Sequence, residues 1–222
     1  VSEEGETLNT NKAVSDVTTD VTSDTTSDTT SGAESRSAHH QVVQAAWLAL
    51  DQDRPDEAVE ALRPLAPLTV EDEEVARVWC AMMGWVDDLG HVERELRRLA
   101  RVWATTPPVV AEMARVILKV WTRQSGPLPF AARESLVGLG VDIIDLCLTE
   151  TPPSKPPQRA ELYLARASLL TLVGPLGDER ALDDLEIALS LTPESAEGWF
   201  VLSRLHLARG RWEKSALATE HA

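Results

Sequence analysis

The sequence predicts an all-α fold, antiparallel helical hairpins stacked as a solenoid, preceded by a disordered acidic tail. Three observations carry that reading. From about residue 39 onward apolar residues recur at helical spacing, and the strong helix formers Ala, Leu, Glu and Arg dominate. Alternating strand patterns and Asn-Gly or Asp-Gly hairpin signals are missing from the sequence. The turn-forming residues are also periodic. Placing the turn inside each helical pair at Asp53, Gly90, Gly126, Gly174 and Gly210 gives steps of 37, 36, 48 and 36 residues. The long step holds the Pro-rich insert Thr151-Pro152-Pro153-Ser154-Lys155-Pro156-Pro157, near 151–157. A period in the mid-thirties with two helices per unit is the mark of a helical-repeat solenoid.

Residues 1–38 form the predicted tail. They contain almost no large apolar side chain and run through Ser15-Asp16-Val17-Thr18, Thr19-Asp20-Val21-Thr22, Ser23-Asp24-Thr25-Thr26 and Ser27-Asp28-Thr29-Thr30. Such a segment buries too little surface to offset the entropy of ordering it. It reads as a solubilising tail, with a phosphorylation or glycosylation platform as the functional alternative.

Residues 39–222 read as one domain of about five helical pairs. The first, around Trp47 to Leu65, has a convincing second helix in Asp56-Glu57-Ala58-Val59-Glu60-Ala61-Leu62. The second pairs Trp79-x-x-Met82-Met83 with Leu89-Gly90, and the third, Pro108 to Leu148, keeps the hairpin rhythm alone. In the fourth, Tyr163-x-x-Arg166-Ala167-x-x-Leu170 is followed by Ala181, Leu185, Ala188 and Pro193. The fifth runs from Ala196 through Trp199, Leu202, Ser203 and His206 to a turn and second helix at Gly210-Arg211-Trp212. Small residues such as Ala167, Ala181, Ala188 and Ser203 suit places where helices approach closely. Tyr163 and Trp199 are large enough to fill the space between neighbouring pairs, and Pro193 ends a helix. Truncating a Trp199 packed in that way is expected to cost about 3–5 kcal/mol.

Over about 159–222 these residues resemble the tetratricopeptide repeat (TPR) family, whose units carry Trp, Leu-Gly and Tyr on one helix and Ala, aromatic, Ala and Pro on the next. The likeness extends loosely over 39–148. The resemblance implies a right-handed solenoid whose first helices line a concave groove for a peptide or helix of a partner protein. Carried over residue by residue, it implies groove positions at Phe200 and Arg204, and at Leu164 and Ser168. Looser alignment adds Val116 and Val120, Cys80 and Gly84, and Val43 and Trp47. Members that clamp a peptide C-terminal carboxylate place Lys and Asn along this groove, and this chain lacks them there. An apolar strip ending in one Arg suits an amphipathic helix or an extended apolar peptide instead.

Charge narrows the partners. With 21 Lys plus Arg against 36 Asp plus Glu, the net charge of −15 argues against nucleic acid and against an anionic membrane surface. No apolar run approaches the roughly 18 residues of a membrane span, and no signal peptide opens the chain. Cys80 and Cys147 are the two cysteines, which fits a reducing compartment and a cytoplasmic location. The chain begins at Val1, compatible with an alternative start codon or a trimmed end.

The catalytic inventory is thin, so a non-enzymatic protein without cofactor or metal is expected. His39, His40, His91, His206 and His221 lack metal or triad spacing, and His206 falls at a packing position. No GxxxxGK[ST] loop occurs, and Gly138-Leu139-Gly140 sits in a helical context. Carboxylate pairs such as Asp87-Asp88 and Asp183-Asp184 read as solvated faces. One surface departs from the acidic balance: Arg94, Arg97, Arg98 and Arg101 share a broad helix face, diluted by Glu93 and Glu95. It reads as a salt-bridged outer face or as a dock for an acidic or phosphorylated peptide.

The function expected is a scaffold or adaptor that binds a partner protein in the groove. Two alternatives stand beside it: a phospho-responsive module using the tail and the Arg stripe, and the terminal portion of a larger multi-domain protein. The last helix leaves Trp212, Ala216 and Leu217, with the Leu205 and Leu207 side of its neighbour, uncovered. That flank is expected to meet another copy or further helices.

Overall fold

The computed structural model describes residues 28–123, 130–174 and 177–222. Among the described residues it holds ten α-helices, one 3-10 segment and no strand. The helices are α1 (Asp28–Asp51), α2 (Pro55–Leu62), α3 (Glu73–Met83), α4 (Leu89–Trp103) and α5 (Pro107–Arg123). They continue as α6 (Phe130–Glu150), α7 (Pro156–Leu170), α8 (Asp178–Leu191), α9 (Ala196–Ala208) and α10 (Trp212–His221). Ala38–Ala222 form one compact unit.

Local chemistry sets most boundaries. Pro55 and Pro156 open α2 and α7, where a missing amide hydrogen costs nothing. Asp72 caps α3 by accepting from the Glu74 and Val75 amides at 2.9 and 3.1 Å, and Ser195 caps α9 through the Gly198 amide. The tight turns between α1 and α2, α7 and α8, and α9 and α10 use left-handed backbone at Asp53, Gly174 and Gly210. The expected turn at Gly90 is displaced. Asp88 accepts the His91 amide at 3.1 Å and starts α4 at Leu89, so Gly90 lies inside the helix and the connection spans Gly84 to Asp88. A good cap outweighs the helix penalty of one glycine. The expected turn at Gly126 lies outside the described residues.

Two further differences have simple causes. α1 begins at Asp28, so residues 28–38, expected as tail, are helical; each added residue gains a hydrogen bond once a helix exists, and Ala33, Glu34 and Ala38 favour it. The rest of the predicted tail lies outside the described residues. Between α2 and α3, Arg63–Val70 forms a 3-10 segment in which Pro64 and Pro67 interrupt α-helical bonding.

Within Ala38–Ala222 consecutive helices pack as pairs, α7 on α8 and α9 on α10 most extensively, while α5 lies against both α3 and α7. One apolar core runs from Val43 on α1 to Leu205 on α9. Close approach is built from small side chains: Ala167, Ala181 and Ala188 are all buried where α7 meets α8. At Gly140, in the middle of α6, an added Cβ would lie 2.7 Å from both Ile117 of α5 and Leu169 of α7. The glycine therefore serves helix packing. Trp199 departs from expectation: it is half-exposed, its Nε1 donates to the Pro193 carbonyl at 2.7 Å, and its ring lies 4.7 Å from that of His221. The loop at Pro193 and the end of α10 hold it, outside the main core.

Candidate partner-binding groove

Helices α5, α7 and α9 line one face of a cavity of about 410 Å³. Leu118 and Thr122 come from α5, Ser168 from α7, and Phe200, Val201, Arg204, Leu205 and Ala208 from α9, with Thr171, Leu172 and Gly174 at the end of α7. Helical spacing explains the set: on α9, positions 197, 200, 201, 204, 205 and 208 fall on one stripe. Phe200 is 56% exposed, and the Arg204 guanidinium sits 5.9 Å from its ring centre. The cavity thus offers an apolar floor, three hydroxyls and one positive rim group, with Glu197 beside it.

A second, smaller notch of about 240 Å³ lies between α1, α3 and α5. Trp47, Trp85, Ala81 and Val116 form its walls, and Asp51, Glu112, Arg115 and Lys119 supply charge. The Lys119 ammonium lies 3.5 Å from the Trp85 ring centre, a cation–π contact. Burial, then repulsion from Arg123, pushes the Lys119 pKa below its ordinary value. Arg115 is held by Glu112 at 2.6 Å and by Glu161. The indole nitrogen of Trp85 is buried without a hydrogen-bond partner.

The sequence-derived positions divide between these surfaces and the core. Phe200, Arg204 and Ser168 share the larger cavity, and Trp47 and Val116 line the smaller notch. Leu164 is half-buried and packs against the core. Val116 and Val120 are each 2% exposed, and Val43, Cys80 and Gly84 are buried too, so none of these five offers more than a trace of side-chain surface to a partner. The residues that line the notch here are Ala81 on α3 and Trp85 just past its end, each one position later than expected. The looser repeat pattern of α3, with Met82 and Met83 where a small residue is usual, hid that phase. Burial first, and then the Glu112 charge, raises the Cys80 pKa well above that of an ordinary thiol, so this cysteine stays protonated.

The four stripe arginines lie on α4, and two of them are engaged. Arg97 donates to Glu93 at 2.6 Å, and Arg98 donates to Glu95 at 2.9 Å and to the Thr69 hydroxyl at 3.0 Å. The hydrogen bonds to Glu93 from Arg97, then from Ser135, lower its pKa. Arg94 and Arg101 are exposed and make no ion pair among the described residues.

A buried ion cluster was not legible in the sequence. The Arg166 guanidinium of α7 donates to both Asp184 oxygens of α8, at 2.8 and 2.5 Å, and also to Asp145 of α6. Arg180 closes the cluster by donating to Asp145 at 2.6 and 2.7 Å. Asp184 is only 2% exposed, so of the expected solvated pair Asp183-Asp184 only Asp183 faces water. Burial opposes the Arg166 charge, but the bonds and charges of Asp184 and Asp145 outweigh it and hold the guanidinium above its ordinary pKa. The signal lay in Arg166, which stands where the repeat pattern has Leu, yet nothing in the sequence selects its carboxylate partner.

Among the described residues no helix is long and apolar enough to cross a membrane, and no group of three or more His, Cys, Asp or Glu is placed to hold a metal. No protein-family model matches the chain, and no curated protein matches it in sequence. A solved structure titled "MamA MSR-1 C2" is similar at a TM-score of 0.49 and 16% identity, over 83% of this chain and 91% of that one.

Proposed function

We propose that this protein is a non-enzymatic, TPR-like scaffold that binds a peptide or helix of a partner protein along the exposed faces of α5, α7 and α9. The observation that carries the reading is the cavity in which Phe200, Arg204 and Ser168 meet. A large ring left 56% exposed beside an apolar hollow is costly in water and typical of a docking anchor. The surrounding scaffold is a right-handed solenoid of five helical pairs, and the groove follows its inner helices. The occupant is an amphipathic helix or an extended apolar segment, with Arg204 available to an acidic group at its edge. Location in the cytoplasm agrees with two free, buried thiols.

The phospho-responsive alternative draws on the tail and the stripe Arg94, Arg97, Arg98 and Arg101, with Arg94 and Arg101 the more available because Arg97 and Arg98 already direct donors to Glu93, Glu95 and Thr69. Affinity capture of the partner followed by cross-linking mass spectrometry tests the two readings together. Cross-links that cluster on α7 and α9 support the groove. Cross-links confined to α4, lost after phosphatase treatment, support the stripe and contradict the groove.

A further inference from the structure

The four most exposed large apolar side chains among the described residues are Trp212 at 69%, Leu217 at 59%, Phe200 at 56% and Leu48 at 55%. Phe200 belongs to the groove. The other three lie on the first and last helical pairs, where Val59 at 36% and Leu207 at 47% join them. Val70, Val102, Leu146, Val173 and Ile187 are exposed too, at 38–47%, so exposed apolar surface is not confined to the ends, but the three most exposed side chains outside the groove lie there.

The charges at those ends are opposite. From 51 to 63 the chain carries five carboxylates, Asp51, Asp53, Asp56, Glu57 and Glu60, against Arg54 and Arg63, which bridge Glu57 at 2.8 Å and Glu60 at 3.1 Å respectively. From 209 to 214 it carries Arg209, Arg211 and Lys214 against Glu213 alone, in a protein whose net charge is −15. On α2, Val59 shares the outward face with Asp56 and Glu60, while Ala58 and Leu62 are buried against the core. At the start of α10, Arg211 and Lys214 flank Trp212. One end offers apolar groups rimmed by acid, the other an exposed indole rimmed by base.

From this complementarity we infer that the occupant of the α9–α10 flank is a second copy of this chain, bound through its α1–α2 flank. The contact is heterologous, joining two different surfaces, so a bound pair leaves one flank of each kind free. Such a contact propagates head to tail unless its rotation closes a ring. Burial of Trp212, Leu217, Leu48 and Val59 supplies the affinity, and the charges set orientation and reject tail-to-tail pairing between two basic flanks. The inference stands independently of groove binding, because neither flank uses Ser168, Thr122 or Leu118.

Sedimentation velocity of the full chain, from micromolar to hundreds of micromolar, provides the test, with circular dichroism melts confirming that each variant folds. The expected result is a series of species extending beyond the dimer with concentration and retreating to monomer in high salt. Trp212→Ala weakens association by about tenfold or more. The double reversals R211E/K214E and D56K/E60K each give monomer, and mixing those two variants restores assembly because their altered flanks are again complementary. A chain that is monomeric throughout overturns the inference. So does a closed dimer that ignores D56K/E60K, which marks pairing of two identical flanks, or a mixture that stays monomeric.

Discussion

The α7–α8 and α9–α10 hairpins follow one another along the chain yet are held together by different chemistry. In α7–α8 the crossing is apolar, built on Ala167, Ala181, Leu185 and Ala188, and is locked by the buried Arg166–Asp184 pair with its link to Asp145 on α6. In α9–α10 the same register brings together hydroxyls. Ser203 Oγ lies 3.1 Å from both the Ser215 carbonyl and its hydroxyl, and 2.7 Å from the Thr219 hydroxyl. A hairpin flanked on both sides can bury charge and apolar surface together. The α9–α10 hairpin, packed on α8 among the described residues, relies on short-range hydrogen bonds and leaves Trp212 and Leu217 exposed. The first is held by a buried charge pair and the second by hydroxyls, and the candidate groove lies where they join.

The comparison breaks most easily at Arg166. Replacing it with Met leaves Asp184 buried without a counter-charge and is expected to cost about 3–5 kcal/mol in urea unfolding. The double variant R166M/D184L is expected to recover most of that loss. A cost near zero for the single variant would show that the cluster is solvated. Trp199→Ala sharpens the contrast, because the ring contributes one hydrogen bond and one ring contact outside the core. Its expected cost is about 1–2 kcal/mol, below what a fully packed tryptophan gives.

Ser203→Ala removes the hub of the hydroxyl cluster and is expected to cost about 1 kcal/mol. Its sharper readout is amide hydrogen exchange: protection falls across α10 while α7 and α8 keep theirs. Equal loss in both hairpins would contradict their separate cohesion. The smallest effect concerns pH. His206 is buried with its Nδ1 unpaired, and burial, followed by the charges of Lys214, Arg211 and Arg209, lowers its pKa. The neutral form is therefore the folded form. Stability from this group is present above the unfolded histidine pKa and is lost as pH falls through the lower folded value. Acidification below about pH 6 is expected to loosen α9–α10 first, with His206→Leu blunting the effect in exchange measurements.

The sequence made the helices legible because their apolar spacing and caps are local properties. The turns at Gly174 and Gly210 and the small residues Ala167 and Ala181 were readable for the same reason. Gly90 misled because a capping aspartate two residues earlier competes with it. What could not be read depends on contacts between distant segments. Asp183 and Asp184 are neighbours of identical type, and only the position of Arg166 on α7 separates the exposed one from the buried one. Likewise, the phase that brings Ala81 and Trp85 rather than Cys80 and Gly84 to the smaller notch is set by packing on α5, where Lys119 covers the Trp85 ring. Phe200 and Arg204 were accessible because α9 keeps the clearest repeat pattern in the chain.

The most direct test of the groove is the affinity of the captured partner for wild type and for F200A/R204E, measured by calorimetry beside thermal melts of both proteins. Both substitutions lie on exposed positions, so the melting temperature is expected to move by no more than about 1–2 °C. Affinity is expected to fall by about thirtyfold or more, the loss associated with an interface anchor. Unchanged affinity at unchanged stability would contradict partner binding in the α5–α7–α9 groove.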